Sequence, residues 1–536
     1  MNSKIFIVVG IGAWYLTSVL SFFILAPSND DGLYITSAMG TAITGRPGFW
    51  VGDEFAPSFF LPTAFTYCYG LLLKLTMLSG FDFGALGFRL YQFLFILIVP
   101  ILSLLMLRRL RNRDYGIRFL ILITFLSVSY FVQSAASVRP EVLGTVLFIL
   151  FLVLRAKRSK TEVIPTFILG LCGTMHPIFT LLALTIFAVG LIRKYRQRGL
   201  NNRLKWAEIV SAFALPFLPL LVYHILNFDT YAEQMVGRPS SGLAQIWMGP
   251  NFIWQQLGFW NHSRGIDIGL YSGYPAFIFL LVMFLSTTLV WKKRSYVWNH
   301  VNFWVCCPML IVQWVVLFAW PSYLSYLGFS SLLASLIIVL LWERPGVLVP
   351  SGRMRYVFVT ACFGLSMIFI AFHGGKFLFF SEATLTPLRL HSVMTPILQN
   401  PQTKIYTNTE RLIPPLIDHF SDYGNIRVNF LYLMHARKGH GMDPDCLPPD
   451  LYEIAKEHSL TALANSDRHN TYWGLNKLRT DRTAEGNFFI PKIKGTLSTI
   501  LLTPTDQVYD DNKNLIIRAS DVTVTIDAPG CWREKG

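Results

Sequence analysis

The chain has 536 residues, of which 53% are hydrophobic and only 14% charged. Arranged as many apolar runs of about 18 residues or more, that composition excludes a soluble globular protein and indicates a polytopic helical membrane protein. The net charge of +15 does not signal a nucleic-acid partner, because the basic residues sit in short loops between apolar runs. That is the positive-inside pattern, which orients helices in a bilayer.

The first apolar run predicts a membrane helix over about 4–26, running from inside to outside. No small-residue cleavage site follows it, so it reads as a retained helix. The next apolar stretch, 57–79, has spanning length but contains Pro57, Pro62 and Lys74. If it spanned, the Arg108, Arg109, Arg111, Arg113 cluster would fall outside and every later basic loop would be inverted. It is therefore expected at the outer interface, within an outer loop of residues 27–88.

Later spans are expected near 89–107, 117–136 and 141–155. Residues 163–192 are too long for one span and split around an outer turn at His176-Pro177. Further spans fall near 206–226, 271–291, 301–320, 322–342 and 356–373, with a long outer loop over 227–270. This gives about eleven spans and places inside the clusters Arg155–Lys160, Arg193–Lys205, Lys292–Arg294 and Arg344–Arg355.

An odd number of spans leaves residues 374–536 outside. Their composition is polar, with strand-like runs at Lys404–Thr407, Val428–Leu433, Thr496–Leu502 and Val522–Ile526 and helix-like runs at Arg411–Phe420 and Leu451–His458. A mixed α/β extracytoplasmic domain is expected there, following a membrane module of residues 1–373. Cys446 and Cys531 lie in it and can form a disulfide in an oxidising compartment; Cys68, Cys172, Cys306, Cys307 and Cys362 lie in apolar segments and read as thiols.

On this topology several polar features share the outer face. They are Asp30-Asp31-Gly32-Leu33-Tyr34, Asp53-Glu54, Arg139-Pro140-Glu141 and His176-Pro177. Carboxylates at a membrane edge are costly and are functional candidates by default. Each feature also has a plain structural reading. Asn29 or Asp30 can cap an interfacial helix starting near Gly32. Asp53-Glu54 can be a solvated loop, Arg139-Pro140-Glu141 a turn with proline at a helix start, and His176 a packed turn residue. Taken together, the set suits sugar transfer from a lipid phosphate. A carboxylate takes the proton of the acceptor hydroxyl as it attacks the anomeric carbon. An arginine fork stabilises the departing phosphate.

No metal-type cysteine pairs, phosphate-binding Gly-Lys-Ser loop or paired-histidine zinc helix occurs in the sequence. No soluble nucleotide cofactor is implied. A divalent cation bridging carboxylates and phosphate is compatible with the oxygen ligands available.

At these residues the chain resembles glycosyltransferases of the GT-C fold, and within it the mycobacterial Emb arabinofuranosyltransferases. Their pattern is Asp-Asp-Gly-Tyr after a membrane helix, an acidic loop, Arg-Pro-Glu and a Gln-Pro turn. Here it reads Asp30-Asp31-Gly32-Leu33-Tyr34, Asp53-Glu54, Arg139-Pro140-Glu141 and His176-Pro177, with Leu33 inserted and histidine replacing glutamine. The resemblance covers about the first 200 residues. It implies Asp30 as general base, Asp31 and Glu54 as its site partners, and Arg139 beside the donor phosphate. The chain is much shorter than an Emb protein, and the related pilin arabinosyltransferase is nearer in size.

The expectation is therefore an inverting transferase of the outer face of a bacterial inner membrane. Its partners would be a polyprenyl-phosphoryl sugar, arabinofuranose favoured, and a glycan or pilin-type protein acceptor. Tyr34, Arg139, Glu141, His176, His262 and Arg264 are the expected donor-binding residues. The alternatives are a lipid-linked mannose or aminoarabinose transferase of the same fold, or a non-enzymatic lipid or sugar transporter. A transporter expects ionisable groups near mid-membrane, whereas the acids here gather at one surface.

Overall fold

The fold is given by a computed structural model that describes residues 3–24, 29–51, 54–59, 61–80, 87–110, 115–128, 138–156, 162–198, 203–236, 282–292, 303–319 and 324–341, and short strands between 405 and 524. In chain order the first helices are α1 (Ser3–Ile24), α2 (Asn29–Thr44), α3 (Thr63–Leu78), α4 (Leu90–Arg109) and α5 (Tyr115–Val128). They are followed by α6 (Pro140–Ala156), α7 (Val163–Met175), α8 (Pro177–Arg198), α9 (Arg203–Ala214), α10 (Leu218–Leu226) and α11 (Phe228–Val236). The last are α12 (Val282–Lys292), α13 (Phe303–Ala319) and α14 (Leu324–Leu341). Among the described residues three segments, Leu90–Arg109, Pro177–Arg196 and Leu204–Leu226, are long and apolar enough to cross a membrane.

Contacts divide the chain into two compact units. One comprises Met1–Phe22, Gln92–Tyr223 and Ser240–Gly374; the other comprises Phe23–Tyr91, His224–Pro239 and Gly375–Gly536.

The first unit is a bundle of packed helices. α1 and α4 run antiparallel: Trp14 Nε1 donates to the Ile96 carbonyl at 3.1 Å, and the rings of Phe22 and Phe93 lie 4.5 Å apart. α6, α7 and α8 run up, down and up, packed through small residues. Cβ atoms added at Gly144, Gly170 and Gly173 would meet Phe179 at 2.5 Å, the Phe213 carbonyl at 2.4 Å and Phe217 at 3.0 Å. Small residues let apolar helices approach closely, so dispersion contacts accumulate where hydrophobic burial contributes little. α12, α13 and α14 are joined by polar contacts within an otherwise apolar core. Gln313 Nε2 donates to Ser286 Oγ at 3.0 Å, and Trp314 Nε1 to Thr287 Oγ1 at 3.1 Å. Interhelical hydrogen bonds of this kind contribute roughly 0.6–2 kcal/mol each.

In the second unit α2 packs on α3, where a Cβ at Gly70 would lie 2.4 Å from the Ala38 carbonyl. Gly45, at φ +76°, ends α2 in the left-handed conformation that glycine tolerates. Strands β1 (Gly48–Val51) and β2 (Glu54–Pro57) then form an antiparallel hairpin, with Gly48 opposite Pro57 and Val51 opposite Glu54. Farther along, β3 (Ile405–Thr407) pairs in parallel with β4 (Ile426–Val428). An antiparallel sheet has the order β5 (Thr461–Leu463), β6 (Thr499–Pro504), β9 (Val522–Val524), and β7 (Tyr509–Asp510) pairs with β8 (Leu515–Ile516).

Several boundaries differ from the sequence expectation. The helix expected to start near Gly32 begins at Asn29. The 57–79 segment is a strand end followed by a shorter helix, because Pro57 and Pro62 cannot continue a helical hydrogen-bond ladder. The 206–226 helix is interrupted by a 3-10 turn over Leu215–Phe217, where Pro216 removes a backbone donor. The expected span at 356–373 and the helix-like runs Arg411–Phe420 and Leu451–His458 lie outside the described residues.

Candidate functional site

The first unit has two chemically distinct ends. The thiol of Cys172 on α7 lies 3.3 Å from the Gly144 carbonyl on α6, which fixes the register of that antiparallel pair. Three residues before Gly144 stands Glu141, and four beyond Cys172 stands His176, so both occupy the same end. Gln92, in the first turn of α4, donates through Nε2 to the Arg139 carbonyl at 3.1 Å and ties a third helix to that end. Phe22, whose ring lies beside Phe93, is at this end as well.

Local sequence explains each position. Arg139 precedes Pro140, which suits the first turn of α6 because its missing N–H has no intrahelical partner there. Glu141 lies in that first turn, where the exposed N–H groups and the helix dipole favour a carboxylate. Glu141 is buried, as are Gln92 and His176; Arg139 is half-buried. Thr145 Oγ1 donates to the Glu141 carbonyl at 2.7 Å.

His176 separates α7 from α8 in an extended conformation, φ −163° and ψ 147°, as expected for a residue before proline. Its Nδ1 accepts the Ile178 N–H at 3.3 Å, so the side chain caps α8 above Pro177. With Nδ1 as acceptor, the neutral ring carries its proton on Nε2 and can donate from there.

The second unit carries the acids. Asp30 and Asp31 lie in the first turn of α2, and Tyr34 follows one turn on. Tyr34 is buried, its ring edge-on to Phe65 at 5.5 Å, so it joins α2 to α3. Glu54 opens β2. The hairpin packs through the Gly48 carbonyl and Phe55 at Gly40, ten residues or about 15 Å along α2 from Asp30. Asp53, His262 and Arg264 lie outside the described residues. No group of three or more His, Cys, Asp or Glu side chains suited to a metal occurs among the described residues.

Two polar residues were missed by sequence reasoning. Gln92 reads as an ordinary residue of an apolar helix, and no sequence signal distinguishes it. Arg89, buried in the turn before α4 with its guanidinium 5.2 Å from the Phe88 ring centroid, did carry one. An arginine at the end of an apolar run that the loop charges predict to lie outside departs from the positive-inside pattern.

No protein-family model matches this chain. No curated protein matches it either. Among solved structures it is similar to ArnT from Cupriavidus metallidurans, crystallised with undecaprenyl phosphate. The identity is 13% and the TM-score 0.45, over 93% of this chain and 97% of that one.

Proposed function

We propose that this chain is an inverting glycosyltransferase at the outer face of a bacterial inner membrane. It moves a sugar, arabinofuranose favoured, from a polyprenyl-phosphoryl donor to a hydroxyl of a glycan or pilin-type protein. Asp30 takes the acceptor proton as the hydroxyl oxygen bonds to the anomeric carbon, with Asp31 and Glu54 as site partners. The carbon–oxygen bond to phosphate breaks on the opposite face, and polyprenyl phosphate departs. Arg139 and His176 stabilise its charge, and Tyr34, Glu141, His262 and Arg264 complete the donor site.

The observation that carries this reading is the chemical polarity of the first unit. Buried Gln92, Glu141 and His176 gather with Arg139 at one end of the first unit. Ionisable and polar groups buried among apolar helices are rare, and function is one reason to retain them.

The test is transfer of labelled polyprenyl-phosphoryl arabinofuranose by purified protein to glycan and pilin acceptors, with Asp30→Asn alongside. Transfer by the wild type and its loss in a folded variant is the expected result. No transfer of any polyprenyl-linked sugar by folded wild-type protein would overturn the reading.

A further inference from the structure

The opposite end of the first unit carries basic side chains that the transfer reaction does not use. Most are compensated. Arg109 Nη1 donates to the Val153 carbonyl at 3.1 Å, Arg118 donates to the Val339 carbonyl, and Lys194 pairs with Glu162. Arg155, in the last turn of α6, and Arg193, on α8, are different. Neither has a carboxylate or carbonyl partner among the described residues, and Arg193 Nε is buried without an acceptor there.

Because α6 and α8 run parallel and start at Pro140 and Pro177, Arg155 and Arg193 stand at nearly the same height, 15 and 16 residues along. Their charges act on each other. Each guanidinium is backed by an aromatic face: Arg155 lies 5.9 Å from the Phe151 ring centroid, and Arg193 lies 5.7 Å from the Trp304 ring centroid on α13. Two repelling, partly desolvated cations held by rings rather than acids retain their donor edges for an anion. Exposed apolar side chains accompany them, Ile192 and Tyr195 on either side of Arg193 and Trp291 on α12. Free phosphate gains nothing from such surface, but an acyl chain does.

We propose that Arg155 and Arg193 form a clamp for the phosphate headgroup of an anionic glycerophospholipid, with its acyl chains along the apolar flank of α8. The basic loops place this end at the cytoplasmic leaflet, where such headgroups attract basic pockets between helices. An arginine fork matches a phosphodiester in two-point geometry, which a lysine does not.

The experiment uses the full chain in mild detergent and native mass spectrometry. The probes are phosphatidylglycerol, phosphatidylcholine with the same acyl chains, and inorganic phosphate. The wild type should retain phosphatidylglycerol about tenfold more tightly than phosphatidylcholine. R155Q/R193Q should abolish the difference, R155K/R193K should recover part of it, and K292Q should leave it unchanged. Equal retention of the two lipids by the wild type, or an unchanged preference in folded R155Q/R193Q, would overturn the proposal. Equally tight capture of inorganic phosphate would overturn the lipid assignment. Should the glutamine variant fail to fold, photoreactive phosphatidylglycerol on the wild type decides. Labelling should fall on peptides containing Arg155 and Arg193, and labelling confined to other peptides would overturn the site.

Discussion

His176 Nδ1 accepts the backbone N–H of Ile178 at 3.3 Å, so one side chain both ends α7 and begins α8. A cap of this kind contributes about 0.5–2 kcal/mol. His176→Asn keeps a short acceptor at the cap position, whereas His176→Ala removes it. Thermal unfolding in detergent should show the alanine variant about 1 kcal/mol less stable and the asparagine variant near wild type. If His176 also donates from Nε2 to the departing phosphate, both variants should lose transfer. Equal stability of the two variants would show that the cap is energetically idle.

Gln92 links α4 to the Arg139 carbonyl at 3.1 Å and is fully buried. Gln92→Leu keeps the approximate volume and removes the donor. It should cost about 0.5–1.5 kcal/mol, the worth of one hydrogen bond, because the carbonyl keeps the Val142 N–H. Transfer should fall about tenfold or more through misplacement of Arg139, since small errors in a positioned group are expensive. The informative readout is the division between effects. Loss of kcat with little change in KM for the acceptor fits a role at the donor phosphate. Unchanged kinetics would remove Gln92 from the site's support.

The glycines of α6 and α7 should rank by what a methyl group meets on α8 and α9. At Gly170 the obstacle is the Phe213 carbonyl at 2.4 Å, which is backbone; at Gly144 it is the Phe179 ring at 2.5 Å. Overpacking costs about 1–3 kcal/mol where neighbours can shift. Gly170→Ala should therefore destabilise more than Gly144→Ala in thermal unfolding. The reverse order would mean that α9 moves more readily than the Phe179 ring.

Much of the helical layout was legible because it follows from hydropathy and proline. The break at His176-Pro177 is written in the sequence, since a residue before proline avoids helical geometry, and α7 and α8 meet there. The start of α2 was missed by three residues. Ser28 followed by Asp31 is a capping pattern, and heeding it would have placed both acids in the first helical turn. The hairpin over Gly48–Pro57 was not foreseen, because its short strands contain a glycine and a proline and no clear alternation. Tertiary pairings such as Gln92 with Arg139, or Arg155 beside Arg193, join residues far apart in the chain. No local period announces them.

The two acids are adjacent in the first turn of α2, and neighbouring positions of a helix are separated by about 100° around its axis. The two should therefore not be equivalent. Asp30→Asn is expected to lower kcat by about 10²–10⁴-fold, the range for loss of a general base. Asp31→Asn should be milder and should raise KM more than it lowers kcat. Asparagine retains a capping oxygen at either position, so thermal stability should change by less than about 1 kcal/mol, separating catalysis from helix capping. Equal losses in both variants would mean the pair works as one unit. A larger loss in Asp31→Asn would transfer the base role to Asp31 and leave Asp30 as its support.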